Sequence, residues 1–139
     1  TLPNKTDEEK KYVKDCYCGK SGCIETYLSG PGFSSSFNLR YSKDYDTHEI
    51  IKGYEQNDEN CREAINRYID HLARGLSIVC NILDPDIIVL GGGMSNIDFI
   101  YEQIDDAIKK YIFSDFFHTK IVENMHGDSG GVRGAAWLS

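Results

Sequence analysis

Apolar residues recur at spacings of three and four from Cys61 onward. Cys61, Ile65, Ile69, Leu72, Leu76, Val79, Cys80 and Leu83 mark one face of a long amphipathic helix over 60–83. Asp84-Pro85 ends it, because proline disfavours a helical residue before it. The pattern then changes. Ile87-Ile88-Val89-Leu90, set between Pro85 and the run Gly91-Gly92-Gly93, reads as a buried strand of a parallel sheet. Ser95-Asn96-Ile97-Asp98 resembles a capping box with Asp in the place of Glu. A helix should follow it, with Ile97, Ile100, Tyr101, Ile104, Ile108 and Tyr111 on one face. Residues 120–125 predict a second strand, and 132–138 a short helix of small residues. Upstream, Asp46-Thr47 offers an N-cap to a short amphipathic turn carrying Ile50, Ile51 and Tyr54. Ser29-Gly30-Pro31-Gly32 breaks any helix between Glu25 and Phe37, and residues 1–15 read as a loop. The order helix, strand, helix, strand, helix predicts an α/β layer with at least two parallel strands. Two strands make a thin sheet. Together with a first residue that is Thr1 and not Met, this predicts a piece of something longer, although an engineered or processed start would explain Thr1 equally well.

Composition narrows the classes of function. At 139 residues the chain is long enough for one domain of ordinary size, and 40% apolar with 27% charged residues is a soluble globular balance. Fifteen basic against 22 acidic residues give −7. That sign repels phosphate backbones and anionic lipid, so neither nucleic acid nor a membrane surface is expected as a partner. The longest apolar stretch, Ile87 to Leu90, is far short of the roughly 20 residues that span a bilayer. Residues 1–11 hold no apolar segment of the signal-peptide kind, so the expected location is the cytoplasm.

Three groups of residues could carry chemistry. The first is Cys16-Tyr17-Cys18-Gly19-Lys20-Ser21-Gly22-Cys23. Three thiols within eight residues, spaced by glycines that let the loop fold back, suit a tetrahedral zinc site. The fourth ligand could be His48, His71, His118 or His126, or lie outside the chain; three reduced thiols are the plainer reading. Cys61 and Cys80, about 28 Å apart along one helix, cannot pair and read as small buried hydrophobes. The second group is Gly91-Gly92-Gly93 between strand and helix, where backbone N–H groups could approach a phosphate; a tight turn would need the same glycines. The third is His126-Gly127-Asp128-Ser129-Gly130-Gly131-Val132-Arg133-Gly134-Ala135-Ala136. Its glycines cost about 1 kcal/mol each relative to alanine inside a helix, so a close neighbour or a flat ligand should require them. Both glycine-rich turns follow strands of one sheet, the edge where open α/β sheets bind ligands. Glu25, two residues past Cys23, would be fixed by a metal loop and so could accept a hydrogen bond from a polar ligand, or be a solvated surface glutamate.

Taken together these motifs resemble the carboxyl-terminal part of a ROK-family sugar kinase (repressors, open reading frames and kinases). Cys16 to Glu25 matches the family's zinc signature C-x-C-G-x-x-G-C-x-E. Leu90-Gly91-Gly92-Gly93-Met94-Ser95-Asn96 and the stretch from Gly127 to Ala136 match its later nucleotide-side motifs. The likeness runs from about residue 12 to the end. Within the family it is nearest fructokinase/mannokinase members, with N-acetylglucosamine kinase second. The resemblance implies an actin-like, ribonuclease-H-like ATPase fold, of which residues 16–139 would be the carboxyl-terminal lobe. It implies a structural zinc on Cys16, Cys18 and Cys23, a sugar contact from Glu25, and a cleft for Mg-ATP lined by Gly91, Gly92, Gly93, Gly131 and Gly134. It also implies that the catalytic Asp, the first phosphate loop and the histidine that completes the zinc site lie before Thr1. The chain by itself is then expected to be inactive, and its exposed sheet edges favour a homodimer. Sugar-responsive repressors share the family and remain the alternative; an upstream helix-turn-helix would mark one.

Overall fold

The structure is a computed structural model that describes residues 1–11, 15–127, 134, 136 and 137. Two compact units divide the chain, Thr1–Gly75 and Leu76–Ser139.

In the first unit, α1 (Asp7–Lys11) lies within the stretch expected to be a loop. Thr6 caps it, accepting from the Glu9 N–H while Glu9 Oε2 accepts from the Thr6 N–H. That is a Thr-x-x-Glu capping box. After the cysteine hairpin come α2 (Glu25–Leu28) and α3 (Gly30–Tyr41). The Ser29-Gly30-Pro31-Gly32 run therefore ends one helix and starts another. Ser29 accepts from the Gly32 N–H and Pro31 occupies the first turn, where its missing donor is no loss. The Asp46 cap is realised as a full capping box with Glu49 at the start of α4 (Thr47–Glu55). The long helix is α5 (Glu59–Leu83), which continues into the second unit. Its apolar face buries Cys61, Ile65, Tyr68, Ile69, Leu72 and Ala73, with Phe33 and Phe37 of α3 and Ile50 of α4 also in the core.

In the second unit, β1 (Ile87–Leu90) pairs in parallel with β2 (Lys120–Glu123), Val89 facing Val122 and Ile88 facing Ile121. Helix α6 (Asp98–Lys109) crosses between them and packs on β2, burying Ile100, Ile104 and Ile108. Two expectations are corrected here. β1 is not buried on both faces, since Ile87 and Val89 are more than half exposed. Residues Ser95 and Asp98 do not form a capping box. The buried Ser95 hydroxyl donates to the Gly92 carbonyl and accepts from the Asn124 amide, so it is spent before α6 begins. Cys80 and Cys61 are buried free thiols, as the helical spacing required. The helix expected over 132–138 lies largely outside the described residues. Among those residues no helix is long and apolar enough to cross a membrane.

Candidate metal hairpin and substrate groove

The cysteine hairpin closes on itself through backbone. The Cys16 N–H donates to the Lys20 carbonyl at 2.7 Å and the Gly19 N–H returns to Cys16 at 2.9 Å. The Ser21 hydroxyl donates to the Asp15 carboxylate at 2.7 Å across an antiparallel bridge. This folding back brings three sulfurs together: the Sγ atoms of Cys16, Cys18 and Cys23 all lie within 4.8 Å of one another, and Cys18 to Cys23 is 3.5 Å. Two zinc–sulfur bonds of about 2.3 Å at a tetrahedral angle place sulfurs about 3.8 Å apart, so the donor set fits zinc in kind and spacing. The electrostatics are those of thiols sharing protons. The Cys18 thiol is lowered by hydrogen bonds from the Lys20 backbone and from Cys23. Cys23 is pushed up to about 11 by the hydrogen bond with Cys18 and by desolvation.

Among the described residues no histidine joins the three thiols. His71 is buried and held by Glu9, with Nε2 at 2.8 Å from Oε1. His118 sits 4.0 Å from Asp84 and from Asp86, and His48 and His126 are exposed.

Glu25 opens α2, directly after the hairpin, and its exposed side chain lines an open groove of about 250 Å³ together with Asp15, Cys16, Tyr17, Thr26, Ser29 and Ser35. Its lining mixes apolar surface with carboxylate and hydroxyl groups that could hydrogen-bond a hydroxylated ligand. Its wall depends on Gly32, where a Cβ would stand 2.6 Å from the Thr26 carbonyl oxygen and 3.0 Å from that of Glu25. Only glycine lets α3 approach the backbone that carries Glu25.

On the second unit, Gly91, Gly92 and Gly93 form an exposed turn after β1. Gly92 has φ +86°, a conformation open to glycine and strained for other residues, and no described residue lies within 4 Å of where side chains would stand on any of the three. Among the described residues none lies within 4 Å of a Cβ built on Gly134, while Gly131 lies outside the described residues.

Sequence reasoning missed a buried polar cluster beside the hairpin. Glu9 receives His71 and the Arg74 guanidinium, which also donates to the carbonyls of Asn4 at 3.0 Å and Pro3 at 3.3 Å. Burial would raise the Glu9 pKa, but hydrogen bonds from Arg74, the Thr6 N–H and His71 outweigh it and hold the carboxyl at about 2. The Thr6-x-x-Glu9 box was the available signal.

A parallel sheet with a crossover helix, joined in sequence to a three-thiol hairpin and a glycine-rich strand turn, defines an α/β protein whose hairpin carries a donor set fit for a metal. The ROK family's sequence profile matches residues 5–139, and the chain belongs to that family. It is 41% identical over 126 residues to N-acetyl-D-glucosamine kinase from Escherichia coli O139:H28, a match covering 91% of this chain and 42% of the relative. The chain therefore spans less than half the length of the relatives it matches. Its fold is that of the corresponding part of ROK hexokinase from Thermus thermophilus, with TM-score 0.77 at 22% identity over 91% of this chain and 43% of that one. The ROK glucokinase from Streptomyces griseus, solved with glucose and AMPPNP, gives TM-score 0.75 at 19% identity over 90% and 46%.

Proposed function

We propose that the whole protein carrying this chain transfers the γ-phosphoryl group of Mg-ATP to a hydroxyl of N-acetyl-D-glucosamine. The observation that carries this is the 41% identity, over nine-tenths of the chain, to a kinase of that sugar. It moves the reading away from fructokinase/mannokinase, which the motifs alone had favoured, to the amino-sugar alternative. Residues 16–139 are the carboxyl-terminal lobe in this reading and residues 1–15 its leading segment. The lobe with the catalytic Asp belongs to the remainder of the protein, and the 139-residue chain alone is inactive. The protein is cytoplasmic and homodimeric.

Cys16, Cys18 and Cys23 hold a structural zinc, whose chemistry is to tie the hairpin into one geometry. Glu25 then stands at the start of a rigid element. Its carboxylate accepts a hydrogen bond from a sugar hydroxyl and orients the ring, so that the attacking hydroxyl meets the phosphate in line. Catalysis of this kind rests on positioning and charge neutralisation. Gly91, Gly92, Gly93, Gly131 and Gly134 admit the nucleotide close to backbone N–H groups.

The test is steady-state phosphorylation by the whole protein with N-acetyl-D-glucosamine, fructose, mannose and glucose, beside zinc analysis. N-acetyl-D-glucosamine should give the highest kcat/KM. E25Q should raise its KM at least tenfold, and C18S should lose the bound zinc. A preference for fructose overturns the substrate assignment. Sugar binding without phosphorylation overturns the kinase reading in favour of a sugar-responsive regulator.

A further inference from the structure

Residues 1–11 add no ligand atom to the thiol cluster, yet they are fastened to the same unit at several buried points. Leu2 is 2% exposed. Arg74, itself 3% exposed, donates to the carbonyls of Pro3 and Asn4 and clamps the Glu9 carboxylate, which also receives His71. Between these anchors, the Lys5 ammonium donates to the Gly22 carbonyl at 3.0 Å and stands 5.8 Å from the centre of the Tyr27 ring. The position of that carbonyl matters. Gly22 is buried and has φ +70°, and its C=O belongs to the peptide plane that leads into Cys23. A donor on the carbonyl fixes the plane, and the plane sets where Cys23 Sγ points.

We propose that residues 1–11 are a clamp on the metal hairpin, with Lys5 the positioning residue for Cys23 and Glu9, His71 and Arg74 its anchor. This rests on the reading of Cys16, Cys18 and Cys23 as metal ligands. Hydrogen bonds just outside a ligand shell hold ligands in register, and their loss costs about 10–100-fold in metal affinity. Lys5 acts on the backbone next to the ligand, so the low end of that range applies. Lysine is suited to the role because its flexible stem lets the charge settle over an aromatic face while one proton meets the carbonyl.

The experiment uses the whole protein as wild type, K5M and K5R, loaded with Co²⁺ as a spectroscopic stand-in and titrated against a competing chelator. K5M keeps the length and apolar stem but removes the donor; K5R restores one. K5M should bind Co²⁺ about tenfold more weakly, with altered ligand-field bands, while its metal-free circular dichroism and thermal midpoint match wild type. K5R should recover most of the affinity. Equal affinity and identical spectra for K5M and wild type overturn the clamp while leaving the metal site standing. A wild-type protein that takes up no Co²⁺, with no thiolate charge-transfer band, overturns the metal reading and the clamp with it.

Discussion

The buried Glu9 carboxylate makes acid stability a sharp test of how the first unit is held. Held at about 2 instead of its ordinary 4.5, the group corresponds to about 3 kcal/mol of folded-state stabilisation at 1.36 kcal/mol per pKa unit. Discounting for solvent screening of this partly buried group leaves about 2 kcal/mol. The sign follows from the direction. A carboxyl whose folded pKa is depressed contributes its full stability above 4.5, and that stability is lost as pH falls from 4.5 through about 2. His71 acts in the same sense by a different route. Burial lowers its pKa more than Glu9 raises it, so below about 6.5 the unfolded chain takes a proton that the folded ring refuses. Wild-type stability should therefore fall in two stages, first below pH 6.5 and then more steeply below 4.5. Urea denaturation of the whole protein and of E9Q, followed by circular dichroism at pH 7, 5, 3.5 and 2.5, reads both. E9Q should be about 2 kcal/mol less stable at pH 7, and the gap should close towards pH 2. A gap that stays constant across this range, or no gap at pH 7, would refute the ion-pair account of α1.

Three further perturbations test the packing. Ile104 is fully buried on α6, so I104A should cost about 2–5 kcal/mol, and I104V about 0.5–1.5, in urea denaturation. A Cβ on Gly53 would stand 2.5 Å from Cys61 Sγ. G53A should therefore cost about 1–3 kcal/mol by overpacking, and G53A/C61A should recover much of it in a double-mutant cycle, whereas additive losses would place the clash elsewhere. Gly92 alone of its triplet has positive φ, so G92A should lower stability by about 1–2 kcal/mol, while G91A and G93A change it by no more than a few tenths.

Where local rules act alone, the chain could be read directly. The apolar spacing of α5, its stop at Asp84-Pro85, the Asp46 cap and the crossover from β1 through α6 to β2 each follow from a side-chain period or a single turn residue, and the structure has them. The hairpin is similar: glycines at 19 and 22, both with positive φ, fold three cysteines onto one point. The misreadings share a cause, which is competition among partners distant in sequence. Ser95 has the composition of a cap, but Asn124 and the Gly92 carbonyl claim its hydroxyl first. The break expected at Ser29-Gly30-Pro31-Gly32 is present between α2 and α3, but the close backbone approach at Gly32 shows only in the fold. His71 is one of four histidines that a zinc loop could recruit. Its fate is decided by Glu9, 62 residues away, a pairing no local window contains. Residues that serve another residue's geometry are therefore legible only after folding. Glu25 and the glycine turn after β1, the groups proposed to meet sugar and nucleotide, were legible from local spacing because each lies within a few residues of the hairpin or strand that positions it. Lys5, Glu9 and Arg74 make their contacts across long sequence separations, Lys5 to Gly22 in the hairpin and Arg74 to Glu9, so the roles proposed for them could be assigned only from the fold.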